Sequence, residues 1–197
     1  MAVRAPTPSG LARRGRIREE AARLFGRRGY HATSMRDIGQ AAGLLAGSLY
    51  AHIASKEDLL YEIVVQSANQ FLGELEAIGA EELPPEDRLR MAMRAHVSVM
   101  AGNLDEAWVF HHEWKALTGP RKEEVRRLRR RYERLWDRIV RELPGVADPR
   151  FARLLVLSAA NWTYTWYRPD GPLSPGEVAD RFTGLLLAGL GAREDTS

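Results

Sequence analysis

The 197-residue chain has no cysteine, only three lysines among its 29 basic residues, and no long apolar run. The first absence excludes disulfide frameworks, thiolate metal sites and cysteine nucleophiles, and makes a reducing cytoplasm the natural compartment. Runs such as 154–157 and 185–188 are four residues long, against roughly 18 for a membrane span, so the chain is expected to stay in water. Residues 1–10 carry one arginine and two prolines without the apolar core of a signal peptide, and read as a flexible arm. The shortage of lysine, asparagine and glutamine fits genome composition or heat adaptation and says little about function.

What is present is 45% hydrophobic and 28% charged, the balance of one globular unit or of a small domain joined to a larger one. The net charge of +3 is unevenly placed. Residues 1–56 hold ten arginines and lysines against three acidic residues, a net of +7, which leaves −4 for the rest. A basic head on an acidic body points to a polyanionic partner, because neutralising phosphates releases counterions. The competing reading of such charge is a solvated surface.

No segment alternates with period two for long enough to make a strand, whereas helical spacing recurs throughout, so the fold class is all-α with nine helices. The first helix spans about 11–28, with Ile17, Ala21, Leu24 and Phe25 on one face and Gly29 as its stop. Ser34, with Asp37 three residues on, caps a short second helix that ends before Gly43. A third runs over about 46–52. Ser55 caps a fourth over 56–78, about 34 Å long at 1.5 Å per residue. Pro84 and Pro85 open the fifth, 105–117 makes the sixth, and Pro120 opens a seventh with an apolar stripe from Val125 through Tyr132 and Trp136 to Leu143. The eighth starts at Asp148 and Pro149 and is apolar on most sides, which predicts burial. Ser174, Pro175 and Glu177 start a ninth that reaches about residue 190. These elements divide into an arm (1–10), a head (11–55) and a body (56–197).

Residues 34–53 have the spacing of a helix-turn-helix. Gly39 allows two helices to cross closely, Gly43 supplies the positive φ of a tight turn, and Ile38, Leu49 and Ile53 pin the second helix to the first. Leu45, Ala46, Gly47, Ser48, Tyr50, Ala51 and His52 then face outward, toward a major groove. A glycine-turned helical hairpin of another kind has the same spacing.

Residues 24–60, from Leu-Phe-Gly-Arg-Arg-Gly-Tyr through Thr33-Ser-Met-Arg-Asp-Ile-Gly to Ser48-Leu-Tyr-Ala-His-Ile-Ala-Ser-Lys56, resemble the amino-terminal domain of the TetR family of bacterial transcriptional regulators. The resemblance implies that Thr33, Tyr50, His52 and Lys56 hold DNA phosphates and that Leu45, Ala46, Gly47, Ser48 and Ala51 approach bases, with Ser34 and Arg36 in the same DNA-facing set. Hydroxyl, imidazole and ammonium groups are sensible phosphate donors. The family usually has serine or threonine where Leu45 stands, often a polar residue at Ala46, an aromatic at Ala51 and phenylalanine at Ile53. Base reading then shifts toward thymine-methyl contacts, Arg36 and DNA shape.

In the body, Met93, His96, Met100, Phe110, His111, Trp114, Trp136, Asn161, Trp162 and Trp166 are candidates for an apolar effector pocket with a few polar handles; ordinary core is the alternative for each. A metal site from His96, His111 and His112 is set aside, since adjacent histidines project differently from a helix. Residues 161–190, with Leu44-Leu-Ala-Gly-Ser-Leu-Tyr50, are similar to a TetR subgroup associated with repression of fatty-acid, steroid or aromatic-acid degradation and responsive to acyl-coenzyme A thioesters. Arg127, Arg130, Arg131 and Arg134 could meet coenzyme A phosphates, although simple solvation of one helix face is the preferred reading. The resemblance also implies a homodimer through helices eight and nine, with Phe182 and Leu186 at its interface.

The expected function is a cytoplasmic repressor that binds a near-palindromic double-stranded operator as a dimer, is released by a small hydrophobic effector, and uses no cofactor or metal. No serine–histidine–acid set, phosphate-cradling glycine loop or metal spacing suggests an enzyme. A regulator of drug efflux is the alternative within the class, and an all-helical enzyme or ligand carrier is the alternative outside it.

Overall fold

A computed structural model describes residues 8–191, so most of the arm expected over 1–10 lies outside the described residues. Among those described, the chain forms nine α-helices, one 3-10 turn and no strand. The helices are α1 (Pro8–Arg28), α2 (Met35–Ala41), α3 (Ala46–Tyr50), α4 (Lys56–Gly79), α5 (Pro85–Gly102), α6 (Leu104–His112), α7 (Gly119–Arg141), α8 (Pro149–Trp166) and α9 (Pro175–Gly191). The chain divides into two compact units, one built from the residues through Ser67 with Asp105–Val125, the other from Ala68–Leu104 with the residues from Arg126 onward. The helix-turn-helix lies in the first.

In that first unit, α1 ends where Gly29 turns left-handed at φ 84°. The Ser34 Oγ accepts from the Asp37 N–H at 3.1 Å while the Ser34 N–H donates to the Asp37 carboxylate at 2.8 Å, so two amides that α2 would leave bare are satisfied together. Gly43 turns the chain at φ 70°. At Gly39 an added Cβ would sit 3.4 Å from the Leu44 carbonyl and 3.5 Å from the Leu49 side chain, so α2 and α3 approach to the point where a methyl group would just be in contact. Ile17, Phe25, Ile38, Leu49 and Ile53 are fully buried beneath.

Hydrogen bonds from Ser34 hold the Asp37 carboxyl below its ordinary range, helped less by Arg28 and Arg36. A depressed folded-state value means that this contribution is complete above about pH 4 and is lost as the pH falls further. Asp37→Asn is therefore expected to lower stability at neutral pH and to flatten the acid limb of its pH dependence, as read by thermal melts at pH 3 to 7.

The sixth helix is shorter than the sequence suggests. α6 stops at His112 and a 3-10 turn over Glu113–Ala116 follows. The Glu113 carboxylate accepts from the Tyr30 N–H at 3.2 Å, and the Leu117 N–H closes a tighter bond to the Trp114 carbonyl at 3.1 Å, just ahead of Gly119 and Pro120.

In the second unit α5 packs against α9 and α8, and α8 packs against α9. Leu89, Met93, His96, Val97 and Met100 form the inward stripe of α5. The all-round burial expected of α8 is not found: Ala152, Val156, Ala160 and Thr163 face inward, while Phe151, Leu154, Leu155, Trp162 and Trp166 are exposed. On α9, Leu186 is buried within the protomer and its neighbour Leu185 is 73% exposed.

Candidate nucleic-acid interface and effector site

The head's surplus of positive charge is largely offset within its own unit, which holds thirteen basic against eleven acidic residues, a net of +2. Arg14 pairs with Glu62, Arg23 with Glu20, and Arg18 reaches the buried Glu106 at 3.2 Å. Arg13, Arg16, Arg27, Arg28 and Arg36 stand exposed without an ion pair among the described residues. The charge available to a polyanion is thus carried by a few arginines along α1 and by Arg36 on α2.

Of the residues expected at DNA, Ser34, Arg36, Leu45, Gly47, Tyr50 and Ala51 are exposed, and Ser48, His52 and Lys56 are half-buried. Leu45 is 85% and Tyr50 56% exposed, which leaves both free for a groove or a phosphate. Ala46 opens α3, and its side chain lies outside the described residues. Gly47 faces open space.

Thr33 departs from the expectation. It is buried, and its hydroxyl donates to the Gly29 carbonyl at 2.9 Å and the Leu24 carbonyl at 3.4 Å. Leu24 is in the last turns of α1 and Gly29 just past its end, so the Thr33 side chain ties the chain back onto the end of that helix.

Lys56 ties the start of α4 to the loop after α1. Its ammonium donates to the Tyr30 carbonyl at 2.9 Å and the Thr33 carbonyl at 2.8 Å and lies 4.3 Å from the Tyr30 ring centroid. An ammonium has three donors, which leaves one for a phosphate. Lys56→Met is expected to lower the melting temperature and to reduce the slope of log affinity against log salt by about one, whereas a purely structural lysine would leave that slope unchanged.

In the second unit the His96 ring stacks on Phe71 at 4.8 Å and meets Trp136 edge-on at 6.0 Å. Its Nδ1 lies 2.6 Å from the Tyr132 hydroxyl, and its Nε2 is buried with no partner. Burial lowers His96 to about 3, so the ring is neutral at physiological pH. The same burial pushes the Tyr132 phenol upward.

A cleft of about 440 Å³ opens among α4, α5 and α7. Leu75, Leu135 and Ile139 give it an apolar floor, and Arg88, Arg131 and Arg138 rim it with Glu76 and Glu142. Arg131 pairs with Glu76 at 2.6 Å and Arg88 pairs with Glu142, while the Arg88 Nε is buried without a partner. Phe71 precedes Leu75 by one turn of α4, and Tyr132 precedes Leu135 by three residues on α7, so the cleft floor and the aromatic box share two helix faces. Arg130 and Arg134 line a second, more open cleft of about 250 Å³ with Glu133, Asp137 and Arg153.

The residues expected around an effector therefore separate. Met93, His96, Met100 and Trp136 are buried in the second unit, and Asn161 is half-buried there with its Oδ1 unpartnered. Phe110, His111 and Trp114 belong to the first unit. Trp162 and Trp166 are corrected: at 64% and 43% exposure they lie on the outer face of α8. Leu186, expected at a dimer interface, is buried within the protomer next to the exposed Leu185, while Phe182 is half-buried against Trp166 at 6.0 Å. Sequence reasoning missed Phe71, Arg88 and Arg138. Tyr132 was visible as a stripe residue one turn before Trp136, but its pairing with His96 depends on how two helices meet.

Residues 17–63 match the family model of bacterial regulatory proteins of the tetR family, and residues 82–190 match that of a tetracyclin repressor-like C-terminal domain. The transcriptional repressor KstR2 of Mycolicibacterium smegmatis is 30% identical, the alignment covering 93% of this chain and 94% of the relative. The structure of the TetR regulator PfmR from Thermus thermophilus aligns with a TM-score of 0.79 and 36% identity over 90% of this chain and 100% of PfmR. That of AibR in complex with isovaleryl coenzyme A and operator DNA aligns at 0.77 and 30% identity over 89% and 98%. With both family models matched in order across a helix-turn-helix unit and a helical body, the chain belongs to the TetR family of bacterial regulatory proteins.

Proposed function

We propose that this protein is a dimeric cytoplasmic repressor, without catalytic activity, that leaves its operator when an acyl-coenzyme A thioester binds the second unit. The observation that carries the reading is the cleft with an apolar floor and three rim arginines, beside a buried aromatic box. An acyl chain suits the first of these chemistries and the coenzyme's phosphates suit the second. The likeness to AibR, whose structure holds isovaleryl coenzyme A and operator DNA, supports the same class of ligand.

The exposed apolar row on α8 and α9, including Trp162 and Leu185, supports the dimer, since a contiguous face of this kind is normally covered by a partner. In this mechanism α4 is the coupling element, because it supplies Lys56 at one end and Leu75 and Glu76 near the other. A ligand that displaces the cleft end of α4 changes the separation of the two heads and favours the DNA-free form. A hundredfold loss of operator affinity requires about 2.7 kcal/mol of differential binding.

Titrating the protein–operator complex with thioesters, the matching free acids and coenzyme A tests this. Release by at least one thioester, at concentrations where its acid and coenzyme A alone have no effect, is the expected result. Equal release by the free acids, or none by any thioester, overturns the effector assignment.

A further inference from the structure

We propose that the His96 Nε2–H recognises the carbonyl oxygen of the bound acyl group, so that this residue makes the site specific for a carbonyl-bearing ligand. This deepens the acyl-thioester reading and rests on it.

His96 is 2% exposed, enclosed by Phe71, Tyr132 and Trp136, and its Nε2 has no hydrogen-bond partner. Unpartnered buried polar atoms are uncommon and costly, and each invites a reason.

The proton's position follows from Tyr132. Among the described residues the Tyr132 hydroxyl has its hydrogen bond with the His96 Nδ1, and the neighbouring Trp136 indole nitrogen has no partner. A phenol keeps one O–H to donate, and the acceptor in reach is the His96 Nδ1, 2.6 Å away, so the Tyr132 proton points there. A neutral imidazole that accepts at Nδ1 carries its hydrogen at Nε2, so the unpartnered atom is a donor and its missing partner is an acceptor.

A thioester carbonyl is a neutral acceptor between an acyl chain and a phosphate-bearing carrier. The protein has each of these features on the same three helices: apolar and aromatic side chains, one neutral donor on α5, and a cleft rimmed by Arg88, Arg131 and Arg138 among α4, α5 and α7. Tyr132 is a positioning residue in this arrangement, since it fixes which nitrogen of His96 is protonated.

The test compares thioesters with thioethers that lack only the carbonyl oxygen: isovaleryl- against isopentyl-coenzyme A, decanoyl- against decyl-coenzyme A, and phenylacetyl- against phenethyl-coenzyme A. Calorimetric titration of the full-length protein is expected to show about a tenfold preference for the thioester in any pair that binds. Because a lone substitution at His96 would strand the Tyr132 hydroxyl, the matched variant is His96→Phe with Tyr132→Phe. It is expected to fold, by melting temperature, and to bring the thioester-to-thioether ratio to about one. Equal affinity of thioester and thioether for the unaltered protein overturns the role of His96 and leaves the effector reading standing. Binding of no thioester at all overturns both.

Discussion

Glutamate introduced at Trp162 and Leu185 together is expected to turn a dimer into a folded monomer and to weaken operator binding by about a hundredfold to ten-thousandfold. Both side chains are largely exposed in the protomer, at 64% and 73%, so a charge at either costs the isolated fold little. Across a dimer interface the same charges would be buried without partners, which is strongly unfavourable. Two tethered heads bind successive half-sites with a gain of about 10² to 10⁴ over one head, and that gain is lost on dissociation. Light scattering gives the assembly state and a gel-shift titration gives the affinity. Leu186→Glu serves as the contrast. It puts a charge inside the protomer and is expected to unfold it, with loss of helical signal as well as of binding.

Leu49→Ala is expected to cost about 2–5 kcal/mol of stability in the first unit and to abolish operator binding. α3 is five residues long, far below the length at which a helix holds itself together in water. Its position depends on Leu49, which is fully buried beside Gly39. Leu45, four residues earlier, is the opposite case. Its side chain is 85% exposed, and Leu45→Ala should change stability by less than about 0.5 kcal/mol while altering which bases are tolerated. Chemical denaturation and binding to a randomised operator pool separate the two effects.

The order and type of the helices were legible in the sequence because each boundary carries its own chemistry: Gly29 and Gly43 with positive φ, the Ser34–Asp37 reciprocal cap, and Asp148 accepting from the Arg150 and Phe151 amides. The outward positions of the helix-turn-helix were legible for a related reason, since the buried trio Ile38, Leu49 and Ile53 fixes by periodicity what must point away. Thr33 was misassigned because a hydroxyl at a helix end has two uses, and only the geometry of the Leu24 and Gly29 carbonyls decides between them.

The second unit was harder to read. On α8 the periodicity is blurred by apolar residues on both faces, one packed in the protomer and the other exposed, so Trp162 and Trp166 could not be told from core. Leu185 and Leu186 are adjacent leucines, and composition cannot choose which of them faces inward. The arginine cleft was unreadable for another reason: Arg88 and Arg131 are 43 residues apart in sequence, and only the packing of α4, α5 and α7 brings them to one rim. Arginine's long side chain also lets it serve a distant site or simply cover a helix face.

The central claim is that the chain reads DNA with two symmetry-related heads. Footprinting on genomic fragments retained by the purified protein addresses it most directly. Two protected half-sites are predicted, related by a dyad and centred about 34–36 Å apart or at a multiple of that spacing, with affinity falling steeply as salt rises. A single asymmetric footprint, or retention of no sequence above random fragments at low salt, would contradict it.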